Sequence, residues 1–88
     1  AAVAAVLMQP PAVRVAAVIG LADERLGQIP VAAVELREGS AATEAELRAH
    51  AQRHLSPYQI PVRFKLVAAL PRTVSMKVSR PGVLTLFA

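Results

Sequence analysis

The chain contains no cysteine. Disulfides and thiolate metal sites are therefore excluded, and a reducing, cytoplasmic setting is the expectation. Aromatic residues are almost as scarce. Tyr58, Phe64 and Phe87 are the only three, too few and too scattered for a base-stacking platform, so no specific nucleic-acid partner is expected. No acidic residue occurs after Glu46, whereas seven cations do: Arg48, Arg53, Arg63, Lys65, Arg72, Lys77 and Arg80. No apolar run is long enough to span a bilayer, so no transmembrane segment is expected. The longest N-terminal one, residues 1–8, is stopped by Pro10 and Pro11. It lacks a starting Met and a basic flank, so it reads as a helix of the domain rather than a signal peptide. The stretch from Gly20 to Gly27 is followed by no Gly-Lys-Ser/Thr, which excludes a P-loop.

What is present is a short chain of 88 residues, 55% of them hydrophobic and mostly Ala and Val. That length makes one small domain with a modest core, and the aliphatic content excludes a disordered chain. The cationic second half attracts polyanions, among them nucleotides, CoA, nucleic acid and acidic membranes. A plainly solvated basic surface is the competing reading.

Hydrophobic spacing gives the element order. Val3, Val6 and Leu7 repeat at helical spacing, and residues 13–21 form a β-branched apolar run that reads as a buried strand. Residues 20–28 are polar and predict a turn or a single helical turn. Pro30 then opens a second strand at residues 31–37, since a proline is tolerated at a strand's first position. Thr43 and Glu46 make a capping box, and Leu47, Ala51 and Leu55 follow at four-residue steps until Pro57 ends that helix. Residues 63–68 predict a third strand, reached by the helical crossover. The first two strands have a short connection and are expected to be antiparallel. Residues 72–79 are a polar, basic loop. Arg80 and Pro81 could start a last helix, against which Gly82, Val83 and Thr85 argue. The expected fold class is α+β, a small three-stranded sheet covered by helices.

Two clusters carry candidate chemistry. Glu46, His50 and His54 are spaced four apart on one helix, as metal ligands could be. No fourth ligand accompanies them, so the expectation is no metal, with His50 exposed and His54 half-buried. The second cluster is the loop Pro71, Arg72, Thr73, Val74, Ser75, Met76, Lys77. A lysine in a polar loop is by itself ordinary surface, so the flanking pattern has to carry any further meaning.

Three segments in order resemble the C-terminal domain of adenylate-forming enzymes, a superfamily that includes acyl-CoA synthetases. In residues 11–32 an apolar strand reaches Gly20, then Asp23-Glu24, then Gly27 before a second strand. Thr43 to Arg48 and then Pro57-Tyr58 with Pro61 resemble the family's helix and its exit. Leu70 to Lys77 resembles the family's Leu-Pro-Arg-Thr-x-x-Gly-Lys loop, with Met76 standing at the usual Gly and Pro71 to Lys77 at the family spacing.

The resemblance implies that residues 1–88 are the C-terminal, lysine-bearing domain of an ATP-dependent carboxylic acid–CoA ligase. The N-terminal domain that binds ATP and the acid is absent from this chain and would be its partner, and the isolated chain is expected to be inactive. It implies Lys77 as the catalytic residue, carried by Pro71, Arg72, Thr73, Val74, Ser75 and Met76. ATP and CoA would be substrates, with Mg2+ accompanying ATP, all bound mainly by the N-terminal domain. In such enzymes the small domain inserts its lysine for adenylate formation, then rotates for thioester formation. The loop lysine is also an expected acetylation target. Arg72 and Arg80 serve as matched charges without a catalytic part. The alternative is a stand-alone basic module that binds a polyanion or a partner protein.

Overall fold

The computed structural model describes residues 2–87, and the side chains of residues 3–87. The order is α1 (Ala2–Leu7), β1 (Val13–Asp23), β2 (Gly27–Leu36), α2 (Glu44–His54), a 3-10 turn (Pro57–Gln59), β3 (Arg63–Val67) and α3 (Arg80–Thr85). The expected first helix forms, with Ala1 outside the described residues. The class is the expected one: α+β, with helices on a three-stranded sheet.

β2 is the central strand of the sheet order β1-β2-β3. It pairs antiparallel with β1, from Val13↔Leu36 to Asp23↔Gly27, and parallel with β3, from Val31↔Arg63 to Glu35↔Val67. A parallel pair needs a crossover, and α2 supplies it. The hairpin runs further than the sequence predicted. Both strands continue through the polar stretch, and only Glu24, Arg25 and Leu26 turn. Asp23 Oδ1 accepts from the Arg25 and Leu26 amides at 2.8 and 3.0 Å, and Gly27 takes φ 82° to start the return.

Pro30 consequently lies inside β2, not at its start as expected. Its carbonyl accepts from the Val62 amide at 2.8 Å. A strand residue's N and C=O point to the same side, so the ring nitrogen faces the β3 side and removes no bond from the β1 ladder. Ladder pairing with β3 begins one residue later, at Val31.

Both faces of β2 are covered. Ala32 and Val34 pack with Leu7, Leu47, Ala51 and Phe64 beneath α1 and α2. Val31 and Ala33 pack with Ile19, Leu70, Val83 and Phe87 on the α3 side. α2 starts where the sequence placed it. Thr43 Oγ1 accepts from the Glu46 amide at 3.1 Å, and Glu46 Oε1 accepts from the Thr43 amide at 2.8 Å, a cap contributing about 1 kcal/mol.

α3 forms despite its unfavourable residues, because tertiary packing overrides propensity. Val83 is fully buried, Ser79 Oγ caps the helix by accepting from the Gly82 amide at 3.1 Å, and Pro81 sits in the first turn. Gly82 lies so close to Pro71 that an added Cβ would be 2.5 Å from the proline Cβ. The glycine that argues against a helix in sequence is what lets α3 touch the loop before it.

Candidate functional site

The loop after β3 is a small hairpin. Leu70 is buried at its root, and the Ser79 amide donates to the Pro71 carbonyl at 2.8 Å. Arg72 and Val78 face each other across an isolated bridge. Above them the Thr73 amide donates to the Lys77 carbonyl at 2.7 Å, and the Met76 amide donates to the Thr73 carbonyl at 2.9 Å. Met76 has φ 67°, the one positive φ at a non-glycine among the described residues. These bonds describe a three-residue hairpin whose last loop residue is left-handed and bulged, a position that favours glycine. Met76 stands where the resembling motif has glycine, and its backbone is one that glycine adopts without strain.

Val74, Ser75, Met76 and Lys77 are all exposed. The Lys77 ammonium has no hydrogen bond or ion pair within the protein among the described residues. It extends from a backbone fixed on both sides.

Below the hairpin lies a carboxylate that sequence reasoning missed. Glu35 is 5% exposed, in phase with Val31 and Ala33 along β2 on the α3 side. Its Oε1 accepts from the Leu70 amide at 2.8 Å and from Arg72 Nη2 at 3.3 Å. Its Oε2 is 3.7 Å from Arg14 Nε. Arg14 reaches it because the register shifts between Val13 and Val15, leaving Arg14 as the extra residue of a bulge. The Leu70 amide first, and then the Arg72 and Arg14 guanidinium groups, hold the Glu35 carboxyl below its ordinary pKa, against the opposing effect of burial. The signal available in sequence was phase: a lone charge at every-second-residue spacing from two apolar residues.

Arg72 bridges this carboxylate to the hairpin. Its Nη2 holds Glu35, and its Nη1 donates to the Met76 carbonyl at 3.1 Å. It is therefore not a neutral matched charge for Lys77, as expected from sequence. Arg80, at the first position of α3, keeps that part.

The histidine pair is arranged opposite to expectation. His50 is half-buried and His54 is exposed. His50 Nε2 lies 3.0 Å from the Val6 carbonyl and 3.1 Å from Gln9 Oε1, so its ring ties α2 to α1. Glu46 is engaged in the helix cap. Among the described residues no group of three His, Asp or Glu is placed to hold a metal. The cations of the second half are divided between elements. Arg48 and Arg53 lie on α2, Arg63 and Lys65 on β3, and Arg72 and Lys77 on the hairpin. Arg48 and Arg63 lie over the Phe64 and Phe87 rings at 5.2 and 5.3 Å. No helix among the described residues is long and apolar enough to cross a membrane.

Comparison with known proteins places this chain in a wider set. Residues 2–77 match the family described as the AMP-binding enzyme C-terminal domain. A 2-succinylbenzoate–CoA ligase from Geobacillus kaustophilus is 41% identical over 80 residues, 91% of this chain and 16% of that protein. A sulfoacetate–CoA ligase from Cupriavidus necator is 43% identical over 74 residues, covering 84% of the chain and 14% of the relative. Among solved structures, the amide bond synthetase McbA from Marinactinospora thermotolerans superposes with a TM-score of 0.88 at 35% identity, over 98% of this chain and 17% of that one. The o-succinylbenzoate CoA synthetase from Bacillus subtilis, in complex with its acyl-adenylate intermediate, superposes at 0.81 with 33% identity, over 92% of this chain and 16% of that one.

Proposed function

Since the chain belongs to the AMP-binding enzyme C-terminal domain family, we propose that it is the mobile, lysine-bearing domain of an ATP-dependent carboxylic acid–CoA ligase. Residues 1–88 work against an N-terminal domain of the same enzyme that holds ATP and the acid. The observation that carries this reading is the hairpin: Lys77 is exposed and unpaired among the described residues, at the end of a backbone closed by the Thr73–Lys77 and Thr73–Met76 bonds.

The chemistry needs such a group. A carboxylate oxygen attacks the α-phosphorus, the bond to the bridging oxygen breaks, and pyrophosphate leaves with the electron pair. Both reactants are anions, and charge builds at the α-phosphate. A positioned ammonium offsets the repulsion and stabilises that charge, and the long lysine stem suits entry into a cleft as the domain closes. In the second step a thiol sulfur attacks the acyl carbon, losing its proton, and AMP leaves. The domain turns between the steps and withdraws Lys77. Mg2+ accompanies ATP as part of the substrate.

Lys77→Ala in the intact ligase tests the assignment. Acid-dependent ATP–pyrophosphate exchange should fall on the order of a hundredfold. Thioester formation from a pre-made acyl-adenylate should change little, and Arg80→Ala should leave both steps near wild type. Equal slowing of both half-reactions, or the same selective loss in Arg80→Ala, would remove Lys77 from this role.

A further inference from the structure

We propose that Arg72 is a positioning residue for Lys77 and that buried Glu35 is its anchor. This rests on the reading of Lys77 given above. The guanidinium spans two fixed points. Nη2 meets Glu35 Oε1 in the sheet, and Nη1 meets the carbonyl of Met76, whose peptide bond leads directly to Lys77. Glu35 itself is held by the Leu70 amide at the root of the same hairpin. A planar fork donates in two directions at a set angle, which a lysine ammonium on a flexible stem does not reproduce.

The geometry explains why such a device is needed here. The peptide between Met76 and Lys77 follows a left-handed residue with a side chain, at φ 67°. A non-glycine in that region is strained and persists only when its surroundings over-determine it. The Arg72 bond to the Met76 carbonyl is one constraint that holds this peptide, and the Thr73–Lys77 and Met76–Thr73 backbone bonds are the others. Without Arg72 only the two backbone bonds hold the turn, they open more often, and the tip loses its tie to Glu35 while the Leu70 bond still holds the root. The direction in which Lys77 leaves the hairpin then becomes variable. Misplacement of a reacting group by about 1 Å costs on the order of a hundredfold in rate.

The test joins a measurement on the 88-residue chain with one on the intact ligase. In the chain, Arg72→Met should speed hydrogen exchange at the Thr73 and Met76 amides and leave the α2 amides unchanged. In the ligase, Arg72→Met should lower kcat for adenylation by about tenfold to a hundredfold. KM for ATP and thioester formation from pre-made adenylate should stay near wild type. Lys77→Ala/Arg72→Met should be no slower in adenylation than Lys77→Ala alone, because Arg72 acts through Lys77. Glu35→Gln/Arg72→Met, which also removes the buried charge that has lost its Arg72 partner, keeps the test valid if Arg72→Met alone unfolds.

Three outcomes overturn the proposal. Unchanged exchange with wild-type adenylation means that Arg72 does not order the loop, and leaves the Lys77 reading intact. A further loss on adding Arg72→Met to Lys77→Ala means that Arg72 acts on substrate directly. Wild-type adenylation in Lys77→Ala overturns the Lys77 reading and the positioning role with it, and exchange in the chain still reports separately whether Arg72 orders the hairpin.

Discussion

Met76 is the residue at which local strain and the site coincide. Its φ of 67° places an ordinary side chain where Cβ crowds the following carbonyl, at a cost of about 1–2 kcal/mol. The side chain gains little in return, since it is exposed. Met76→Gly should therefore stabilise the chain by about 0.5–1 kcal/mol, net of the glycine's greater freedom when unfolded. Urea unfolding measures this, and a destabilised variant would mean that the methionine has a contact worth more than the strain. Lys77 and its flanking Leu70-Pro71-Arg72-Thr73 frame were legible in the sequence through resemblance. Glu35 was not. The run Val34, Glu35, Leu36, Arg37 reads as alternation with the charges facing water. β2 is central and covered on both sides, so it offers Glu35 no solvent face.

Elements were read well where one local rule decides and less well where two compete. The Thr43 and Glu46 box fixed the start of α2, and helical spacing fixed its buried face. The β1–β2 turn was overextended in sequence because polar composition does not distinguish a loop from the exposed end of a hairpin. At α3, propensity and packing disagree, and Gly82 is where the disagreement is sharpest. Gly82→Ala improves helix propensity by about 1 kcal/mol. The new methyl would sit 2.5 Å from the Pro71 Cβ, so α3 or the hairpin must move. The net effect should be destabilising by about 1–2 kcal/mol, with chemical-shift changes that extend from α3 into residues 71–77. A stabilised variant with shifts confined to α3 would mean that the helix and hairpin are not in contact in solution.

At the scale of the whole molecule, a central strand covered on both faces makes Glu35, the one buried carboxylate among the described residues, a determinant of acid stability. Glu35 has its folded pKa lowered, chiefly by the Leu70 amide and then by Arg72 and Arg14. A depressed carboxylate contributes stability that is present above its unfolded pKa and is lost as pH falls through the folded one. The chain should therefore lose stability below the ordinary carboxylate range, where Glu35 takes up its proton. Glu35→Gln should lower stability at neutral pH, by about 1–3 kcal/mol, and flatten the acid limb of the profile. Melting temperature against pH for the two proteins measures both effects, and parallel profiles would show that Glu35 does not set the acid limb.

The hairpin's ties to Glu35 and to α3 have a mechanical consequence for the proposed ligase. A tethered loop cannot search for its target independently, so in that ligase the domain would act as a lever arm that carries Lys77. Taking the radius of gyration, 12.5 Å, as the arm, an angular error of about 5° moves the end by about 1 Å, enough to cost on the order of a hundredfold in rate. Fidelity of the chemistry then rests on how reproducibly the two domains seat, and contacts far from Lys77 set its rate by fixing that angle.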